Sequence, residues 1–172
     1  MSRAFPKVAV AAAVFLAGSA WGFQKGSEKR STFKDNVHGF SIDMPRFPGS
    51  GPKAPGVVLI ASGPASGKFA PNVNVMVQAT RTTVKAYSER SVAQMKQLGM
   101  KVNSQKTRKV SGRDALELDY EGSINGSPNL RFLSLSVIDK DRVIVVTCTV
   151  SPDDFADGEA EYRACIDSLK LD

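Results

Sequence analysis

Residues 102–121 read VNSQKTRKVSGRDALELDYE, and this stretch decides the fold. Leu116, Leu118 and Tyr120 alternate with Glu117, Asp119 and Glu121. That period of two is the signature of a β-strand with one apolar and one acidic face. The run ahead of it, Val102 to Val110, ends at Ser111-Gly112-Arg113-Asp114, a cluster of turn formers. Together they predict an antiparallel hairpin in which Val102–Val110 returns as Ala115–Glu121. With Gly112 and Arg113 as the central residues of the turn, Arg108 faces Glu117 and Lys106 faces Asp119. Opposite charges facing each other on a solvated sheet face contribute roughly 0.2–1 kcal/mol a pair. Three carboxylates in a row would also suit a calcium ion or an acid/base pair. Charge pairing is the simpler account and is the one expected.

Downstream, Ile124 to Asn129 predicts a longer turn into a strand over Leu130–Ile138. Asp139-Lys140-Asp141-Arg142 turns again into Val143–Val150. Ser151 then caps a final helix, with Pro152 in its first position and Asp153 and Asp154 in its first turn. Phe155, Tyr162, Cys165, Ile166 and Leu169 should face inward from it. Upstream, Thr82 or Thr83 caps a helix to about Leu98, stopped by Gly99. Val84, Tyr87, Ser88, Ser91, Met95 and Leu98 form its inner face. Val73, Val75 and Val77 mark a strand over about Asn72–Thr80, and Val57–Ile60 a short buried one. Phe33–Met44 predicts a first β element, broken by a turn at Asn36–Gly39 and stopped by Pro45. Six of the nine prolines lie between Pro45 and Pro71, so the rest of that stretch should be loop. Strands, a helix, four strands and a helix describe an α+β domain, with helices packed against a mainly antiparallel sheet.

The length of 172 residues suits one domain, expected over residues 33–172, behind a flexible lead-in at 21–32. Residues 1–20 read as a signal peptide: Arg3 and Lys7, an apolar run from Val8 to Gly18, then small residues up to Ala20. The run is short for a bilayer span, which takes roughly 20 residues. The expected product is exported, periplasmic or secreted, and soluble after cleavage. Cys148 and Cys165 are the two cysteines, both on faces expected to be buried. Export permits a disulfide between them. It would close a loop of about 16 residues and contribute roughly 3 kcal/mol in the chain-entropy model. Residues 21–113 carry a formal charge of +12 and residues 114–172 one of −8. The simplest use of that asymmetry is pairing between the halves inside one fold.

Motifs for catalysis are weak. Gly63-Pro64-Ala65-Ser66-Gly67-Lys68 is one residue short between its glycines for a phosphate loop, and Phe69 stands where a Ser or Thr is needed. There is no G-x-S-x-G elbow. The single histidine, His38, lies in a turn and reads as a surface residue. Asn125-Gly126-Ser127 fits a glycosylation acceptor, but Asn-Gly is better explained as a turn. No nucleic-acid motif accompanies the basic charge, and no cofactor or metal is expected.

The chain resembles the PsbP-like superfamily. The resemblance rests on Gly39-Phe40-Ser41-Ile42-Asp43-Met44-Pro45, Gly112-Arg113-Asp114-Ala115, Val146-Thr147-Cys148-Thr149-Val150 and Cys165-Ile166-Asp167-Ser168-Leu169-Lys170-Leu171. It covers about residues 33–171 and implies an α-β-α sandwich around a central, mainly antiparallel sheet. It also implies a non-enzymatic domain acting through contacts. The expected function is thus an exported binding or accessory domain with an envelope or extracellular protein as partner. The alternative is an exported hydrolase or small-ligand-processing enzyme with an unrecognised site. Phe47, Lys53, Lys68 and Phe69, in the Pro/Gly-rich loops, are the candidate partner-binding residues. Lys25, Lys29, Arg30 and Lys34 are candidates for contact with anionic lipid.

Overall fold

A computed structural model describes residues 31–47, 49–50, 56–65, 69–124 and 126–172. The expected signal peptide and most of the lead-in lie outside the described residues. Strand β1 (Thr32–Asp35) turns through Asn36–Gly39 into β2 (Phe40–Asp43). Next come β3 (Gly49–Ser50), β4 (Val57–Ser62) and β5 (Asn72–Ala79), then α1 (Val84–Gln97). Four long strands follow: β6 (Lys101–Val110), β7 (Arg113–Gly122), β8 (Leu130–Asp139) and β9 (Arg142–Val150). Helix α2 (Pro152–Asp167) and β10 (Lys170–Leu171) end the chain. The lead-in ends earlier than expected, since Thr32 already pairs with Asp43.

The central sheet has the order β3-β4-β5-β9-β8-β7-β6, and every neighbouring pair is antiparallel. A small second sheet, β1-β2-β10, lies beside α2. Alternation along the strands sorts the interior into two cores. One holds Val73, Val75, Leu133, Leu135, Ile144 and Val146 with Phe155, Cys165 and Ile166 of α2 and Phe40 and Ile42 of the small sheet. The other holds Leu116, Leu118, Tyr120, Phe132 and Val145 with Tyr87 and Met95 of α1. The two helices thus cover opposite faces of the sheet, and the molecule is an α-β-α sandwich.

Both helices start where their capping residues dictate. Thr83 Oγ1 accepts from the Ala86 amide at 3.2 Å, and Ser151 Oγ accepts from the Asp154 amide at 3.0 Å. Each satisfies an amide that the first turn leaves without an intrahelical partner. Leu98, expected on the inner face of α1, is the C-cap and is half exposed.

The β6–β7 hairpin differs from expectation in register. Its central turn residues are Ser111 and Gly112, at φ +48° and +78°. Positive φ at both positions makes the two-residue turn whose twist suits a hairpin. Lys106 therefore sits opposite Glu117, and Arg108 opposite Ala115. Ser104 sits opposite Asp119 in the same register, and a bulge at Asn103 then puts Val102 opposite Tyr120. The faces are unchanged, because a shift of two residues preserves them.

Candidate functional site

The acidic face of β7 is not a solvated surface. Glu117 and Asp119 are 8% and 3% exposed, because α2 crosses this face and lays Arg163 over them. Arg131 of β8 grips Asp119 with two nitrogens, at 3.0 and 2.8 Å, and Asn103 Nδ2 donates to the same carboxylate at 3.3 Å. Glu117 takes Arg108 at 3.2 Å, diagonally across the hairpin, and Arg163 at 3.3 Å. The Arg131 guanidinium also lies 4.0 Å from the Phe155 ring centroid, so charge and aromatic packing lock together at the sheet–helix junction. The expected Arg108–Glu117 pair is present, diagonal and under a helix, while Asp119 pairs with Arg131 in place of the expected Lys106. Its arginines come from β6, β8 and α2. This network also joins the basic and acidic halves of the chain, as do Lys101 with Glu121, Lys109 with Asp114 and Arg113 with Asp139.

Asp139, buried at the end of β8, receives Arg113 Nε at 2.9 Å and Arg142 Nη2 at 2.7 Å. Burial opposes its ionisation, yet the hydrogen bonds from Arg142 and Arg113 outweigh it and hold the carboxyl below the usual aspartate value. A depressed folded-state pKa contributes stability that is fully present above the unfolded value and lost as pH falls through the folded one. Asp139→Asn should therefore lower stability at neutral pH and flatten the acid limb of the stability profile below about pH 4. Thermal melts from pH 7 to pH 2 check this; parallel profiles for variant and parent would contradict it.

Cys148 and Cys165 face one another in the α2-side core, both buried, and both are free thiols in this structure. Cys148 Sγ is 4.0 Å from the Tyr162 carbonyl oxygen. The neighbouring Cys165, with burial behind it, pushes the Cys148 thiol well above the usual range. A buried thiol so placed is a small hydrophobe and a poor nucleophile.

The loop candidates divide. Phe69 is 2% exposed within the α1-side core, which corrects the expectation that it meets a partner. Phe47 is half buried, its ring 6.4 Å from that of Tyr162. Apolar rings beside β4 and β5 are worth more inside than on a loop surface. Lys53 and Lys68 lie outside the described residues, as do Lys25, Lys29 and Arg30. Lys34 is exposed on β1. His38 holds its turn, with Nδ1 2.8 Å from Asp35 Oδ2.

The α1-side face of the central sheet carries polar residues that periodicity alone did not single out. Three rows cross β4, β5, β9 and β8. One runs Ser62, Asn72, Thr149, Phe132, the next Ile60, Asn74, Thr147, Ser134, and the third Val57, Met76, Val145, Ser136. Asn72, Asn74, Thr147, Thr149, Ser134 and Ser136 are all buried. The serines are satisfied by tyrosines: Ser134 bonds to Tyr120, and Ser136 to Tyr87, which donates to Gln78 at 3.2 Å. Burial outweighs those bonds and raises both phenols above the ordinary tyrosine range. The signal was in the strand itself, where Asn72 and Asn74 occupy positions whose alternates are Val73 and Val75.

No protein-family model matches the chain, and no curated protein matches it either. Solved structures do. CyanoP, the cyanobacterial PsbP of Synechocystis sp. PCC 6803, superposes with a TM-score of 0.66 at 14% identity, over 90% of this chain and 98% of that one. PA94 of Pseudomonas aeruginosa gives 0.59 at 17% identity, over 81% and 94%. LpqN, described as involved in cell envelope biogenesis of Mycobacterium tuberculosis, gives 0.57 at 14% identity, over 83% and 90%. The order of strands, the antiparallel sheet and the helix on each face are thus those of a known architecture: this chain has the PsbP-like fold.

Proposed function

We propose that the protein is an exported accessory domain that acts in the cell envelope by holding a partner, not by turning over a substrate. One observation carries this. The clustered carboxylates of β7, the chain's best acid/base candidates by sequence, are engaged by Arg108, Arg131 and Arg163 beneath α2. Carboxylates already held by arginines and buried beneath a helix are not presented to a substrate. The PsbP-like fold and the involvement of LpqN in cell envelope biogenesis support the same direction. Among the described residues no helix is long and apolar enough to cross a membrane.

Crosslinking in the native host, then capture of the tagged protein from the envelope fraction, tests this. A partner recovered in stoichiometric amount is expected, and recovery of the protein alone would count against it. Because Phe69 is buried and Phe47 half-buried against Tyr162, the loop test falls to the cations. Lys53→Ser with Lys68→Ser should weaken capture and reduce its salt dependence. Export carries its own check, since we place Cys148–Cys165 as a disulfide in the oxidising compartment. The exported protein should gain about 2 Da on reduction and lose roughly 3 kcal/mol of stability. Two alkylatable thiols in unreduced protein would overturn it. Binding to anionic vesicles through Lys34 and the basic residues ahead of it should fall as salt rises; indifference to salt would dismiss that contact.

A further inference from the structure

Asn74 is fully buried in the middle of β5, and neither its Oδ1 nor its Nδ2 has a hydrogen-bond partner. Thr149, also fully buried, leaves Oγ1 without one. The two lie diagonally across the β5–β9 pair on the same face, a spacing one small molecule spans. The tyrosine–serine bonds nearby close on themselves and leave these groups unanswered. An unpaired buried amide costs enough that a valine, as at positions 73 and 75, would be the better residue if packing alone mattered. In a water-poor interior the same amide is a strong point of recognition.

The surroundings define what it would recognise. On this face β5 carries Asn72, Asn74, Met76 and Gln78, and β9 carries Val143, Val145, Thr147 and Thr149, none of them charged. An ion would find no counter-charge from either strand. Ile60 and Met76 beside Asn74 offer apolar contact. Helix α1 packs chiefly on β6 and β7, and among the described residues no helix packs as closely on this face of β5 and β9.

We propose that Asn74 and Thr149 are the recognition groups of a site for a small uncharged ligand. It would present a donor and an acceptor together, as an amide or a pair of hydroxyls, on an apolar body. This goes beyond the partner-holding function and does not depend on it. The test is titration of the whole chain with hexyl glucoside and N-hexylacetamide, with hexylamine and hexyl phosphate as charged controls, following the Asn74 side-chain NH2 resonance and, in the variants, the backbone amides of β5 and β9. Saturable shifts with an uncharged probe are expected, and not with the charged ones. Asn74→Val should weaken the binding about tenfold, while raising Tm in the absence of probe. Thr149→Val, close to isosteric, gives the second variant should the first fail to fold. The absence of any saturable shift, equal binding of charged probes, or unchanged binding in both variants would overturn the proposal. So would an amide whose sole contact is a long-lived water.

Discussion

Phe155→Ala should cost about 4 kcal/mol, the largest loss expected from a single substitution in this fold. Phe155 is 1% exposed in the first turns of α2, where helix, central sheet and small sheet meet. Its ring lies 6.1 Å from that of Tyr162, with the planes 20° apart, and Arg131 covers it at 4.0 Å. Removing it opens a cavity whose walls belong to three elements and cannot collapse together. It also strips the apolar support from a half-buried guanidinium, worth about 0.5–1 kcal/mol more. Urea unfolding should show the midpoint fall with little change in slope. Phe155→Leu, which keeps most of the volume, should lose under about 1.5 kcal/mol. A loss below about 1 kcal/mol for the alanine variant would mean that α2 does not anchor here.

Asp119→Ala should cost about 3 kcal/mol. Its carboxylate is 5% exposed, held by two nitrogens of Arg131, and Arg163 Nη2 lies 4.0 Å away. Deletion leaves Arg131 against an aromatic ring without its counter-ion. The penalty is mostly that of the stranded charge and not the net worth of the pair. Replacing both partners by apolar residues, Asp119→Leu with Arg131→Met, should consequently cost less than the two single changes added together. A coupling of about 1–3 kcal/mol is expected from the double-mutant cycle. Strict additivity would show that the two residues act independently and that the junction is not a unit.

The register of the β6–β7 hairpin shows where sequence reasoning stops. Sliding the turn from Gly112-Arg113 to Ser111-Gly112 changes the cross-strand partner of each paired residue from Ser104 to Val110 by two positions and no side chain's face. Apolar alternation is blind to such a slip, and Arg108 reaches Glu117 in either register. Only the backbone, with Ser111 in the left-handed region, distinguishes them. The Phe69 expectation failed for a related reason. Proline and glycine mark where a chain leaves regular structure, but not whether an aromatic ring within that stretch turns inward.

The sequence by itself determined the positions of the longer strands and of both helices, the cap at Ser151, a cap at Thr82 or Thr83, and the antiparallel hairpins of the second half; the two-residue strands β3 and β10 escaped it. What it determined follows from interactions within a few residues, which a linear pattern records. Tertiary structure alone decided that the acidic face of β7 lies beneath α2, clamped by arginines from three elements. It likewise decided that Lys170–Leu171 return to close the small sheet on β2, and that Asn74 is buried without a partner. Periodicity states which way a side chain points. What covers it depends on elements far along the chain, brought near only when the whole core forms.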